Sequence, residues 1–290
     1  MIDSFFELLS YPFVQRMFIA SIFASIACGI IGSFVVVKRI VFISGGIAHT
    51  TFGGIGLAYY LQFVMGWVWF EPLFGAILFA VGTACIMSVP LVKERMRSDS
   101  TIGVIWVVGM ALGALFLQGV DRNSVIVQDP MSILFGNILL VQTSDLLIML
   151  ILVVLILLVG IYLFKDLQLL TFDEEFAMIS GINVTVLNMV LLVLVALTTV
   201  VLVKVVGVVM VIAMLTIPSA IAGMMVQNLK QMMIWAVVIG IGTSFTGAVV
   251  SMFYNSPTGS TIVLVMGGLF LFFLLGVPCF GRMKKQVQTS

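Results

Sequence analysis

Charge is what this chain has least of. Asp, Glu, Lys and Arg make up 9% of its 290 residues, while 62% are hydrophobic; a soluble domain carries about 25% charged residues. That scarcity excludes an ordinary water-soluble fold and marks an integral membrane protein. A formal net charge of +1, with no basic run, leaves no field to attract nucleic acid. Cys28, Cys85 and Cys279 are odd in number, far apart and set in apolar surroundings. They offer neither a disulfide framework nor a C-x-x-C metal site and read as small buried hydrophobes. The phosphate loop G-x-x-x-x-G-K-S/T is absent, so the chain does not hydrolyse ATP through that machinery. G-x-S-x-G and H-E-x-x-H are also missing, and no Ser, Cys or Asp pairs with the only histidine, His49. An intramembrane enzyme is not supported.

Long apolar runs are what the chain does have. A bilayer core about 30 Å thick takes roughly 20 residues of helix, and only internally bonded backbone is stable there. The expected fold is therefore all-α and polytopic. Nine spans are expected near 13–37, 46–64, 72–92, 101–120, 145–164, 185–203, 206–226, 231–253 and 259–278, with eight spans plus a re-entrant helix as the alternative. The first run is longer than a signal-peptide core and follows Asp3 and Glu7 rather than a basic segment, so it is expected to remain in the mature protein. From Val184 to Val226 the only charged residue is Lys204, and a single helix would be about twice the membrane thickness. Gly207 and Pro218 mark where it is expected to break, kink or re-enter. The segment "SPTGSTIVLVMGG", residues 256–268, reads as a turn entering a span, with Pro257 at the helix start.

With the N-terminus outside, Lys38, Arg39, Lys93, Arg95, Arg97, Lys165, Lys230, Arg282, Lys284 and Lys285 share one side, ten of the thirteen basic residues. By the positive-inside rule that side is the cytoplasm, which places the C-terminus inside. Trp67, Trp69, Tyr11 and Tyr254 fall at the opposite ends, where an aromatic belt would lie.

Two places break the apolar pattern. The first is the inner connection "KDLQLLTFDEEFAMISGIN", residues 165–183. Thr171 and Glu174 have the spacing of a capping box. Asp173, Glu174 and Glu175 suit a helix N-terminus, Gly181 suits its stop, and Phe172, Phe176 and Ile179 share a face. One base against four acids between Lys165 and Gly181 is the wrong balance for anionic lipid, so docking into a basic protein groove is the sharper expectation, and a helix lying in the interface the plainer one. The second place is "FISGGIAHTTFGGIGLAYYL", residues 42–61. His49 lies about 15 Å along a helix axis from Arg39, near the bilayer midplane, where transporters put substrate sites and polar groups tend to be functional. Gly45, Gly53 and Gly56 share roughly its face, so another backbone can approach closely. A packing histidine, bonded to a carbonyl or to Thr50 or Thr51 of a neighbour, is the alternative.

The order of "VVVKRIVFISGGIAHTTFGGIGLAYYL", "FDEEFAMISGINV", "VVGVVMVIAMLTIPSAIAG" and "SPTGSTIVLVMGGLFLFF" resembles the membrane permease subunits of bacterial ABC importers for zinc, manganese or iron (ABC-3 type). These are distant relatives of the vitamin B12 and siderophore permeases. The likeness runs from about residue 10 to residue 280. It implies a multi-pass permease of the bacterial cytoplasmic membrane, residues 1–290 forming a single domain, working as a homodimer with its path along the twofold axis. It also implies cytoplasmic ABC ATPases that bind the ATP, an extracellular or periplasmic metal-binding protein, a divalent metal ion as substrate and no permanently bound cofactor.

The loop 165–184 would hold the coupling helix, with Phe172, Asp173, Glu174, Glu175, Phe176, Ala177 and Gly181 meeting the ATPase. His49 would be the metal residue of the path, beside Gly45, Gly46, Gly53 and Pro218. Many members carry an aspartate one turn before this histidine; here Gly45 stands there, leaving imidazole, which suits zinc, iron or manganese-type ions. Asp121, Arg122 and Asp129 are expected to meet the delivery protein. Two other classes fit the sequence less well. An ion-coupled secondary transporter would need intramembrane acids, which the spans nearly lack, and a scaffold subunit would need neither the histidine nor the coupling loop. A metal chelate is the alternative substrate.

Overall fold

The computed structural model describes residues 11–88, 98–120, 136, 141–254 and 256–287, with backbone alone at 98–99 and 277–287. Among the described residues there are eleven helices and no strand. They are α1 (Pro12–Val37), α2 (Val41–Phe63), α3 (Pro72–Ser88), α4 (Ser98–Gln118) and α5 (Thr143–Tyr162), then the short α6 (Phe164–Phe172) and α7 (Glu174–Ile179), then α8 (Val184–Val206), α9 (Val208–Met225), α10 (Leu229–Tyr254) and α11 (Thr258–Val287). Eight of these are long and apolar enough to cross a membrane, and α3, with 17 residues, is a shorter apolar helix. The all-helical, polytopic expectation holds.

The helices sort by packing. α2 lies against α3 and α4, and α8 joins them through α3; α1 lies against α9, α10 and α5, with α11 against α9 and α10. Glycine makes the tightest of these seams. A methyl group at Gly53 or Gly56 would sit 2.6 Å from the carbonyl oxygens of Gly109 and Gly113 in α4. Gly54 and Gly75 face each other so closely that a Cβ on either would run into the other's carbonyl oxygen. In lipid, where helices gain little from hiding apolar surface, such backbone approach is a main source of association. α1 meets α9 in the same manner, Gly32 abutting the Leu215 carbonyl beside Ser219.

The long run from Val184 breaks at Gly207, whose φ of 84° and ψ of 160° suit glycine far better than any residue with a Cβ. Gly136 packs its backbone onto Val206 and Gly207 at that joint. Pro218 does not break the chain: α9 continues through it. Its missing N–H leaves the helix one hydrogen bond short, which tertiary packing tolerates in a membrane helix. Lys204, in the last turn of α8, reaches the Asp145 carboxylate at the start of α5, 2.7 Å away. Asp145 also accepts from the Gln142 amide as half of a capping box.

The turn into α2 carries the only positive φ among described non-glycine residues, Arg39 at 61°. The Arg39 and Ile40 amides donate to the Val36 and Val35 carbonyls, which is a Schellman stop with arginine where glycine is usual. Trp67, Trp69, Tyr11 and Tyr254 are exposed at helix ends, the position a belt requires. Cys28 is buried and Cys85 half-buried.

Candidate functional site

The connection 165–183 folds into two helices, not one. Thr171 is not its cap: the hydroxyl donates to the Leu167 carbonyl within α6, 2.6 Å away. The chain turns extended at Asp173, whose carboxylate accepts from the Phe176 amide at 2.9 Å and caps α7. Aspartate is as good an N-cap as threonine, and here it wins because α6 already uses Thr171. Glu174, expected as the reciprocal partner of Thr171, instead meets the Lys38 ammonium at 2.6 Å. Lys38 is 9% exposed and Glu174 45%. The same ammonium donates to the Leu170 carbonyl, so one lysine at the end of α1 holds both short helices.

Gly181, at φ 83°, ends α7 in a second Schellman motif, its amide donating to Met178 and that of Ile182 to Ala177. Ala177 is buried, whereas Phe172, Phe176, Met178 and Ile179 are 60%, 54%, 64% and 84% exposed. α7 therefore offers an apolar face that no described residue of the chain covers, bordered by Glu175.

His49 lies about a third of the way along α2. Its ring is half-buried and stacks on Trp106 of α4, with centroids 4.2 Å apart and planes 17° from parallel. Its Nδ1 is buried and has no hydrogen-bond partner among the described residues. Thr50 and Thr51 do not supply one. Both donate to the Ile47 carbonyl, and Thr50 accepts from Thr83 of α3 at 3.1 Å. A buried imidazole nitrogen without a partner is uncommon, and neutral imidazole is a frequent ligand of divalent transition metals.

Gly45, one turn earlier, faces the same indole: a Cβ there would lie 3.5 Å from the Trp106 ring. Gly46 faces Ile102. Gly53 belongs to the α2–α4 seam. Pro218 is buried in α9, against α1. Among the described residues no three His, Cys, Asp or Glu side chains cluster for a metal ion, so one protomer's described residues do not form a closed cage of the structural-zinc type. Asp121, Arg122 and Asp129 lie outside the described residues.

Sequence reasoning missed Trp106. The signal was its depth: it sits midway along an apolar helix, away from the interfacial level that tryptophan favours. The partners Lys38 and Asp145 were also missed, since nothing local announces contacts between residues 136 and 59 positions apart.

This arrangement defines a class first: a polytopic helical membrane protein with a buried imidazole and an outward-facing apolar hairpin. Residues 10–276 match the model of the ABC 3 transport family, and the chain belongs to that family. It is 40% identical over 267 residues to an uncharacterised membrane protein of Synechocystis, covering 91% of each chain. The manganese transport system membrane protein MntC of Halalkalibacterium halodurans is 33% identical, over 92% of this chain and 88% of that one. PsaBC from Streptococcus pneumoniae, solved in complex with Fab, superposes with a TM-score of 0.81 at 30% identity, over 94% of this chain and 95% of that one.

Proposed function

We propose that the chain is the permease of an ATP-driven importer for a divalent transition-metal ion, with manganese placed ahead of zinc and iron because of the name of the MntC relative. The observation that carries the reading is the unpartnered Nδ1 of His49, buried within a membrane-spanning helix and braced by Trp106. An ion passing His49 would find one imidazole nitrogen whose hydrogen-bonding capacity the described protein leaves unused. Two protomers of a homodimer would bring two such rings to a shared path along the twofold axis. One or two imidazoles hold an ion weakly enough to release it, which a conduit needs. Gly45, Gly46, Gly53 and Pro218 would shape that path, the first two by letting α2 lie close to Trp106 and Ile102 beside His49.

The motive force would come from cytoplasmic ABC ATPases gripping α7. Phe172, Phe176 and Ile179 would enter an apolar groove, Asp173, Glu174, Glu175 and Ala177 would form its rim and floor, and Gly181 would set the turn. The orientation that fits is N-terminus outside and C-terminus inside, in the bacterial inner membrane, with an outer metal-binding protein delivering the ion. The whole chain would then act as one permease domain.

The test is His49→Ala in cells dependent on this transporter, with uptake of radiolabelled manganese, zinc and iron as readout. Uptake of the cognate ion should fall at least tenfold, within the roughly 10–100-fold range seen when metal-site residues are changed. Assembly and basal ATP hydrolysis by the complex should persist. Full uptake of all three ions by the variant would return His49 to a packing role.

A further inference from the structure

Between α1, α5, α6 and α10 runs a groove of about 800 Å³, within the size range of small-molecule sites. Its floor and walls are apolar: Ile26 and Ile30 from α1, Ile156 and Ile161 from α5, Val237 and Val238 from α10. Gly160 keeps it open, since a Cβ there would touch only Ile30, at 4.0 Å. One end is different. Lys165 and Lys230 both line it, together with Gln168, and no Asp or Glu does. Lys230 sits 5.0 Å from the Phe164 ring centroid, and neither ammonium has an acidic partner among the described residues. Lys230 is the second residue of α10 and Val238 lies eight residues further on, about 12 Å along the helix axis. The groove thus has a cationic mouth at the level where the spans end and an apolar channel leading into the hydrocarbon layer.

We propose that this groove is a binding site for an anionic glycerophospholipid, its phosphate held between Lys165 and Lys230 and one acyl chain lying along α10. Two cations without acids at a helix-end mouth complement a headgroup phosphate, and basic pockets between membrane helices bind such headgroups. The apolar channel complements an acyl chain and nothing water-soluble. A second copy of this chain, whose contact surface would have to bury both ammonium groups without a carboxylate from this side, fits less well. Because α6 carries Lys165 and leads straight into α7, a bound headgroup would brace the base of the hairpin. The inference rests on the membrane-spanning fold alone and does not require the proposed substrate.

The intact permease, purified with its partner subunits, is examined by native mass spectrometry after exchange into nanodiscs of dioleoylphosphatidylglycerol or dioleoylphosphatidylcholine. The phosphatidylglycerol adduct should survive activation that strips phosphatidylcholine. Each Lys→Gln change should weaken it about fivefold, corresponding to about 1 kcal/mol per cation at the membrane surface, and K165Q with K230Q together about 25-fold. Arg16→Gln, a cation bonded to the Pro12 carbonyl on α1, should leave it unchanged. Gly160→Phe, which fills the channel and keeps both charges, should also displace the lipid. Equal retention of the two lipids, or indifference to the double lysine variant, overturns the proposal. So does efficient disulfide cross-linking between copies carrying Ile161→Cys, which would make the groove a subunit interface.

Discussion

Along α2 the backbone is closed in by glycine seams on two sides, yet the imidazole it carries has a buried nitrogen with no partner among the described residues. In α7 the balance is reversed. Asp173 and Glu174 are engaged by the Phe176 amide and by Lys38, while Phe176, Met178 and Ile179, with Phe172 at the end of α6, face outward. One region is complete in its packing and incomplete in its polar bonding; the other is the opposite. Under the proposed function, what each leaves unsatisfied would be met by a metal ion at His49 and by an apolar protein surface at α7.

The comparison breaks most sharply at the seams. Gly54→Leu would drive a side chain into the Gly75 backbone, which cannot yield. A loss above about 3 kcal/mol is expected, in the range of severe core overpacking, seen as loss of monodisperse protein in size-exclusion chromatography. Gly82→Ala is the control: nothing lies within 4 Å of its Cβ position, and alanine should stabilise α3 by up to about 1 kcal/mol.

At α7, Phe172→Ala combined with Phe176→Ala should leave the permease folded, because both rings are exposed. Binding of the purified ATPase should weaken at least about 150-fold, as two buried phenyl rings contribute roughly 1.5–3 kcal/mol each. Unchanged affinity in a titration would mean the apolar face meets lipid instead.

The link between the regions is the Lys38–Glu174 pair. With Glu174 half-exposed, its contribution to stability is about 1 kcal/mol or less. Its role in transmission should show in a cycle of Lys38→Met and Glu174→Gln: each lowers metal-stimulated ATP hydrolysis about fivefold, and the double variant is no worse than either. Additive losses would separate the two residues.

The smallest effect is expected from Gly45→Asp. Its Cβ would make an ordinary contact with Trp106, so folding should be unaltered. A hard oxygen one turn before His49 should raise manganese affinity about threefold relative to zinc, measured as competition in uptake assays.

Much of this was legible beforehand. Length and apolarity pointed to nine segments, and nine of the described helices occupy them, eight long enough to cross a membrane and α3 shorter, because burial in lipid demands long apolar helices and little else. Segment ends were less legible: α2 begins at Val41 rather than 46, since the Lys38–Ile40 turn needs only three residues. Of the two places expected to interrupt the run, Gly207 supplied the break through its positive φ, while α9 runs on through Pro218, held by surrounding helices. The hairpin's composition revealed an outward face but not its hydrogen bonds, since Thr171 and Asp173 are both competent caps and only the path of α6 chooses between them. His49 was visible as a lone polar group; Trp106 was not, because stacking partners on separate helices leave no trace in spacing.

Gly53, Gly54 and Gly56 fasten α2 to α3 and α4 over nearly a full turn, each meeting backbone of a neighbouring helix that has little room to yield. A tug on Lys38, three residues before α2 begins, would thus shift the three helices together as a single slab, imidazole and indole travelling in step. The compliant line would run along the slab's border with α1 and α9, so that under the proposed function the ion's path would change width as the whole slab swings rather than by parting its helices.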